Sequence, residues 1–299
     1  MLDLTVVIIN YNTKKLTLAC IDSIYKSRPK ISFQIVVIDN GSKEDIKKAI
    51  KEKYPDIKYI RSNKNLGFAG GNNLALKKTK GQSKYYLLLN SDTNVYKGSL
   101  DSLVDYARKE KVGISSCRLI NSDGSFQPNA GKLPSPLPVF YWLSGLDDIL
   151  RFLVKLPSYQ ERDVSYYGDD ANVGWVSGSV MLIDRKVINK IGLMDDEIFM
   201  YGEDVDYCLR ATNDGFGVGW TKSGEIMHIG GASSTEARYG QWLGEFRGLL
   251  YLYKKHYNTI YAFVLRFFMY LFILARIIAF FVICKPGYAK TYAKVFKNL

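Results

Sequence analysis

Five short aliphatic runs occupy the first 120 residues, each separated from the next by a polar turn and an amphipathic stretch, and they restrict the chain to few folds. The runs are Leu4–Asn10 (LTVVIIN), Phe33–Ile38, Ile57–Arg61, Tyr85–Leu89 and Val112–Leu119. Dense aliphatic runs of this length are typical of strands covered on both faces. Between them, apolar residues return at helical spacing. Thr13 caps a helix carrying Leu16, Ala19, Cys20 and Ile24, and Ser42 with Asp45 resembles a capping box for a helix toward Tyr54. Phe68–Lys78 and Ser99–Glu110 complete the series. Repeated βα units predict an α/β chain with a mostly parallel sheet, helices on both faces and ligands beyond the carboxyl ends of the strands.

The polar clusters fall at those ends. Asn10-Tyr11-Asn12 and Asp39-Asn40-Gly41-Ser42 are good turn chemistry in themselves, and a carboxylate at Asp39 can also accept from a ribose hydroxyl or a base N–H. In Asn65–Asn73 (NLGFAGGNN), glycines at a helix entry suit either close packing or a phosphate set against open N–H groups. Neither GxxxxGK[ST] nor GxGxxG is present. Asn90-Ser91-Asp92 follows a buried strand, where a carboxylate serves as a turn residue or as a ligand for a hard cation.

A second group lies further on. Phe199–Ala211 (FMYGEDVDYCLRA) reads as a turn at Gly202 feeding an amphipathic helix whose first turn carries Glu203, Asp204 and Asp206. That is an acidic helix start or a catalytic carboxylate. His228, one of two histidines, ends a strand-like run, and imidazole suits Mn2+ beside carboxylates as well as it suits a structural role. Trp175 offers an apolar wall to a sugar ring, and Val180–Ile183 reads as a core strand.

The order VVIINYNT, IVVIDNGS, NLGFAGGNN, LLLNSDT, GWVSGSVMLI, FMYGEDVDYCLRA and HIGGASS resembles the inverting family 2 glycosyltransferases of GT-A fold. Within them it looks most like the rhamnosyltransferase-type enzymes of bacterial O-antigen and polysaccharide assembly. The resemblance implies that Asn10, Tyr11, Asn12, Asp39 and Asn40 hold base and ribose. Gly70, Gly71 and Asn72, with Asn90 and Ser91, would lie against the nucleotide. Asp92 and His228 would hold Mg2+ or Mn2+ at the diphosphate, Asp204 would be the general base with Glu203 beside it, and Trp175, Ser177 and Gly178 would floor the sugar pocket. Asn90 stands where the family's general pattern has the first carboxylate of its acidic motif, which implies weak metal retention. The implied donor is dTDP-L-rhamnose, with a UDP-hexose or UDP-N-acetylhexosamine as the alternative. The implied acceptor is a polyprenyl-diphosphate-linked saccharide.

Charge and apolarity single out the C-terminus. The net charge is +12, and residues 256–299 supply six basic residues and no acidic one. Basicity concentrated in a tail, with neutral or acidic strand ends, predicts no nucleic-acid partner. Ile260–Cys284 is long enough to cross a bilayer but contains Arg266 and Arg276, so a helix or broken helical pair on anionic lipid is the expectation, set against a helix packed on the core or on a second subunit. Four scattered cysteines and an early strand predict a reducing compartment and no signal peptide. The expected organisation is a catalytic domain over 1–240, with a nucleotide half to about 120 and an acceptor half from 121. A membrane-association segment follows over 241–299, at the cytoplasmic face of the inner membrane and compatible with a homo-oligomer. Asn121–Pro138 and Ser158–Asn172 read as loops, and Ala232–Gln241 as a mobile loop over the donor.

Overall fold

In a computed structural model of the protein, residues 1–150, 153–230 and 237–299 are described. In chain order the elements begin with β1 (Leu2–Asn10), α1 (Lys14–Ser27), β2 (Phe33–Asn40), α2 (Lys47–Lys53), β3 (Lys58–Ser62), α3 (Gly67–Lys78) and β4 (Ser83–Asn90). There follow β5 (Thr93–Val95), α4 (Ser99–Glu110), β6 (Ile114–Ile120), β7 (Phe126–Gln127), β8 (Ala130–Gly131), α5 (Pro136–Ser144) and α6 (Leu146–Leu150). The remainder is β9 (Ala171–Asn172), β10 (Trp175–Val176), β11 (Val180–Asp184), α7 (Arg185–Ile191), α8 (Glu203–Asn213), β12 (Val218–His228), α9 (Ala237–His256), α10 (Thr259–Val282) and α11 (Pro286–Asn298).

The chain forms two units. The first comprises Met1–Leu133, Gln160–Phe199 and Glu203–Ser233, built on a sheet of order β3-β2-β1-β4-β11-β6-β12-β5. Strands β1 to β4 are parallel, as the βα repeats require. β11 enters antiparallel to β4 and β6, and β12 lies parallel to β6. Val6, Ile8, Val37, Leu87 and Leu182 are wholly or almost wholly buried, the outcome expected for strands covered on both faces. Asp39 and Asn10 sit side by side at the ends of β2 and β1, and Asn90 pairs with Ile9. The three polar strand ends therefore share one edge of the sheet.

The second unit comprises Pro134–Tyr159, Met200–Gly202 and Ser234–Leu299. Pro134–Tyr159 thus groups with the C-terminal helices, not with the sheet. Trp142 of α5 packs on Tyr159 and on Phe246 of α9, and Phe140 packs on Phe268 and Phe272 of α10. The first five positions of the expected mobile loop at Ala232–Gln241 lie outside the described residues, and its last five open α9.

Two local expectations are corrected. The Ser42–Asp45 capping box does not form: α2 begins only at Lys47, whose N–H is capped by Asp45 Oδ1 at 2.8 Å. Ser42 Oγ is committed to Asn10 Nδ2 (2.9 Å) and to the Asn12 N–H (3.0 Å) instead. Thr13 precedes α1 without a side-chain cap, because its hydroxyl is drawn to Asn10, Thr17 and Ser91. Cys20, Cys117 and Cys208 are buried free thiols whose pKa burial pushes up, to about 12 for the first two.

Candidate functional site

The strand ends are locked before any ligand arrives. Asn10 is fully buried, and its Oδ1 accepts from the Thr17 hydroxyl at 2.9 Å. Asp39 is fully buried too: Oδ1 accepts the Ser42 N–H (3.0 Å), while Oδ2 accepts the Tyr59 hydroxyl (2.8 Å) and lies 3.3 Å from the Arg61 guanidinium. Asn12 adopts φ 57° and accepts the Lys43 N–H at 2.9 Å. Tyr11 is the half-buried aromatic between these knots.

Asn40 reaches across to the glycine-rich helix. Its amide donates to Asn65 Oδ1 (2.9 Å) and to the Gly67 carbonyl (3.0 Å), and its Oδ1 accepts the Leu66 N–H (3.0 Å). The Gly67 N–H goes to Asn65 Oδ1 at 2.9 Å and the Phe68 N–H to the Phe199 carbonyl at 2.9 Å. The expected row of open N–H groups is therefore already engaged at these three positions, because the loop folds back to satisfy the start of α3 itself. Gly71 serves packing against the sheet, since a Cβ there would lie 2.9 Å from Ile9 Cδ1. Gly70 stands beside Leu66 and Asp196, and Asn72 is buried with its amide on the Phe68 carbonyl at 3.1 Å.

At the end of β4 an N/O pair forms. His228 Nδ1 lies 2.8 Å from Gln127 Oε1, and Gln127 Nε2 donates to Asn121 Oδ1 at 2.7 Å, so the oxygen faces the ring and Nδ1 carries the proton. That leaves Nε2 as the lone-pair nitrogen, 3.1 Å from Asn90 Nδ2 and 3.4 Å from Asp92 Oδ1. Asp92 is nearly buried, and its Oδ2 accepts the Gly230 N–H at 3.1 Å. Burial works to raise the Asp92 pKa, but a protonated His228 ring, which turns an Nε2–H toward Asp92, and the backbone N–H groups outweigh it and hold the carboxyl below its usual range; the form that can hold a cation is the neutral ring with its Nε2 lone pair. Ser91 is held by Thr13 at 3.0 Å.

An Asp oxygen and an imidazole nitrogen at this separation fit one divalent cation, since two ligands each about 2.1 Å from an ion lie roughly 3.0–3.5 Å apart. Among the described residues no three His, Cys, Asp or Glu side chains gather into a metal cage. A cation here would take its other ligands from water and phosphate, which suits Mg2+ or Mn2+ arriving with a diphosphate. No sequence motif marks Gln127. It lies 101 positions from His228, and its only signal was its place in the polar stretch after β6.

The acidic turn sorts its three carboxylates. Asp206 is fully buried against Arg210 at 2.7 Å, and Arg210 also donates to the carbonyls of Ile191 (3.0 Å) and Leu193 (2.8 Å). Glu203 is buried. Asp204 alone of the three is part-exposed, with Oδ2 accepting the Gly178 N–H at 2.9 Å and Oδ1 the Val205 N–H at 2.8 Å. Ser177 and Ser179 join hydroxyls at 3.0 Å, and the Ser179 carbonyl accepts the Asn90 N–H at 2.9 Å. The Asp92–His228 pair is therefore linked through Asn90 to Ser179, whose backbone neighbour Gly178 donates to Asp204. Trp175 is buried in β10, where it pairs with Gly131 of β8.

The mixed α/β sheet, mostly parallel and with its polar strand ends on one edge, is of GT-A type, and the chain is a glycosyltransferase. The chain belongs to glycosyl transferase family 2, whose family model matches residues 5–191. It is 27% identical over 228 residues to the low-salt glycan biosynthesis hexosyltransferase Agl10 of Haloferax volcanii, covering 76% of this chain and 67% of that protein. It is 26% identical over 208 residues to an N-acetylglucosaminyl-diphospho-decaprenol L-rhamnosyltransferase of Mycobacterium tuberculosis, covering 65% and 66%. The chain thus spans about two thirds of the length of these relatives. A crystal structure of GalNAc-T7 with UDP, GalNAc and Mn2+ matches with a TM-score of 0.59 at 17% identity, over 86% of this chain and 49% of that one, a likeness of fold.

Proposed function

We propose that the protein transfers a sugar, L-rhamnose from dTDP-L-rhamnose, to a lipid-linked saccharide acceptor with inversion at the anomeric carbon. The observation that carries this reading is Asp204, a part-exposed carboxylate held by the Gly178 and Val205 N–H groups and linked through the Gly178–Ser179 backbone to the Asp92–His228 pair. Asp204 takes the proton of the acceptor hydroxyl as that oxygen attacks the anomeric carbon, and the bond to the nucleoside diphosphate breaks on the opposite face. Asp92 and His228 would hold a divalent cation that neutralises charge on the leaving diphosphate. Tyr11 lies against the base, while Asn10, Asn12, Asp39 and Asn40 keep the nucleotide-side loops in shape. Gly70, Gly71 and Asn72 form the helix wall beside it. Glu203 supports the turn, and Ser177 and Gly178 form the floor beneath the sugar, with Trp175 packed behind them.

The rhamnose donor and lipid-linked acceptor are supported by the name of the mycobacterial relative. Agl10, named as a hexosyltransferase, keeps UDP-hexoses as the second reading. Release of nucleoside diphosphate across dTDP-L-rhamnose, UDP-glucose and UDP-N-acetylglucosamine separates them, and turnover of the UDP-sugars alone would replace the rhamnose assignment. In this reading residues 1–240 carry the chemistry and 241–299 attach the enzyme to the cytoplasmic face of the membrane. α10 is the one helix among the described residues long and apolar enough to cross a bilayer.

Asp92→Ala is expected to weaken binding of a nucleoside diphosphate by roughly tenfold or more when Mg2+ or Mn2+ is present, and to change it little in EDTA. Calorimetry with and without metal reads the difference. Equal losses in both conditions would remove Asp92 from the cation site.

A further inference from the structure

On α10, Ile260, Phe263, Phe267, Leu274, Ile278 and Phe281 are between 47% and 74% exposed. At 3.6 residues per turn they fall within an arc of about 60°. Leu265, Met269 and Ile273, off this arc, are buried. Arg276, which in the sequence interrupts the apolar run, is turned away from the stripe. Its guanidinium donates to the Trp142 carbonyl at 3.4 Å and lies 5.8 Å from the Tyr292 ring centre.

α11 folds back along α10. Phe280 meets Tyr288 at 5.1 Å and Tyr292 at 5.7 Å, while Tyr270, earlier on α10, meets Phe296 at 4.9 Å. The pair is therefore antiparallel. On α11 the exposed Lys290, Lys294 and Lys297 share an arc of about 60° on the side away from these rings, with the Lys294 ammonium also 4.2 Å from the ring centre of Tyr239 on α9.

Crossing the bilayer with α10 would carry those lysines alongside it into hydrocarbon, where charge is poorly tolerated. Lying flat meets these constraints, with the stripe against acyl chains and, at headgroup level, the lysines and the exposed Arg266, which lies about 60° beyond the edge of the stripe. A second copy is a worse occupant. Residues 256–299 hold six basic residues and no acidic one, so two such faces would repel.

We propose that α10 and α11 form an in-plane anchor seated on an anionic bilayer, α10 buried along its length to one shallow depth and not spanning. This rests on the membrane attachment given under Proposed function.

The test uses the full chain carrying Cys284→Ser and, one at a time, Phe263→Cys, Phe267→Cys, Leu274→Cys and Phe281→Cys, each spin-labelled on phosphatidylglycerol–phosphatidylcholine vesicles. The four depths are expected to agree within about 5 Å. A spanning helix would separate residues 263 and 281 by roughly 27 Å, and that spread would overturn the proposal. Combining Lys290→Gln, Lys294→Gln and Lys297→Gln is expected to weaken binding to phosphatidylglycerol vesicles roughly 100-fold, at about 1 kcal/mol per lysine, and to leave binding to pure phosphatidylcholine unchanged. Equal binding to both vesicles by the native chain would overturn the anionic occupant. Absence of all vesicle binding, or strong coupling between labels on two copies in buffer, would overturn the anchor together with the membrane attachment. Sugar transfer to a soluble acceptor, followed in the same samples, reads the catalytic assignment separately.

Discussion

Asp204→Asn is expected to lower turnover at least about 100-fold, with donor binding changed by no more than a few fold. The carboxylate now accepts two backbone N–H groups, from Gly178 and Val205, which fix its direction without neutralising it. An amide retains one acceptor oxygen and turns an NH2 toward the other donor, so the side chain loses both its basicity and one of its two bonds. Single-turnover transfer with saturating donor, alongside calorimetry of nucleotide binding, separates chemistry from affinity. Asp206→Asn is the internal control. Its carboxylate is buried on Arg210, so its loss should cost about 3 kcal/mol of stability, while correctly folded protein keeps near-normal chemistry. A full rate in Asp204→Asn would remove the base assignment.

The sheet was legible in the sequence because its strands are buried on both faces, which writes them as unbroken aliphatic runs. Leu4–Asn10 and Tyr85–Leu89 coincide closely with β1 and with the middle of β4. The acidic turn was legible for the same reason, as a burst of carboxylates in an apolar context. What each polar residue does at a strand end was not. Asp39 and Asn40 read as ligand contacts; the sequence does not show that their side chains also bond to Ser42, Tyr59, Asn65 and Gly67, partners set by the packing of neighbouring loops. Gln127 escaped notice because a side chain that orients a histidine needs only an amide at the right place, which carries no sequence pattern. The capping box failed because a hydroxyl offered two sets of partners went to the buried Asn10 and not to the exposed start of α2.

The tail shows the same limit from the other side. Length and apolarity marked a helix or broken helical pair between 260 and 284; the segment is one helix, α10, and its exposed stripe is where a 3.6-residue period puts it. Arg266 and Arg276 counted against crossing a bilayer in the linear sequence, because hydropathy has no direction. In three dimensions Arg276 points to Trp142 and Tyr292 and the exposed Arg266 lies at the flank of the stripe, so the stripe itself carries no charge. Polar residues become legible only once the face they occupy is known.

Gly67→Ala is expected to cost at least about 2 kcal/mol of stability and to loosen the nucleotide side of the site. Gly67 opens α3 at φ 74°, where an L residue pays about 1–2 kcal/mol. A Cβ there would also sit 2.3 Å from the Phe199 carbonyl oxygen, a distance no neighbour can accept unmoved. That same oxygen receives the Phe68 N–H at 2.9 Å, and further along the helix Asn73 exchanges two bonds with the backbone of Met194, at 2.8 and 3.0 Å. The segment from Met194 to Phe199 is thus tied at both ends to α3, and it leads toward the turn that presents Asp204. Moving Phe199 to admit a methyl group breaks one tie and leaves the Phe68 donor without its acceptor. Denaturant unfolding should show the loss, and dTDP or UDP binding should weaken in the refolded variant. An unchanged midpoint together with unchanged binding would mean that Phe199 can withdraw freely and that the close contact does not hold the two segments in register.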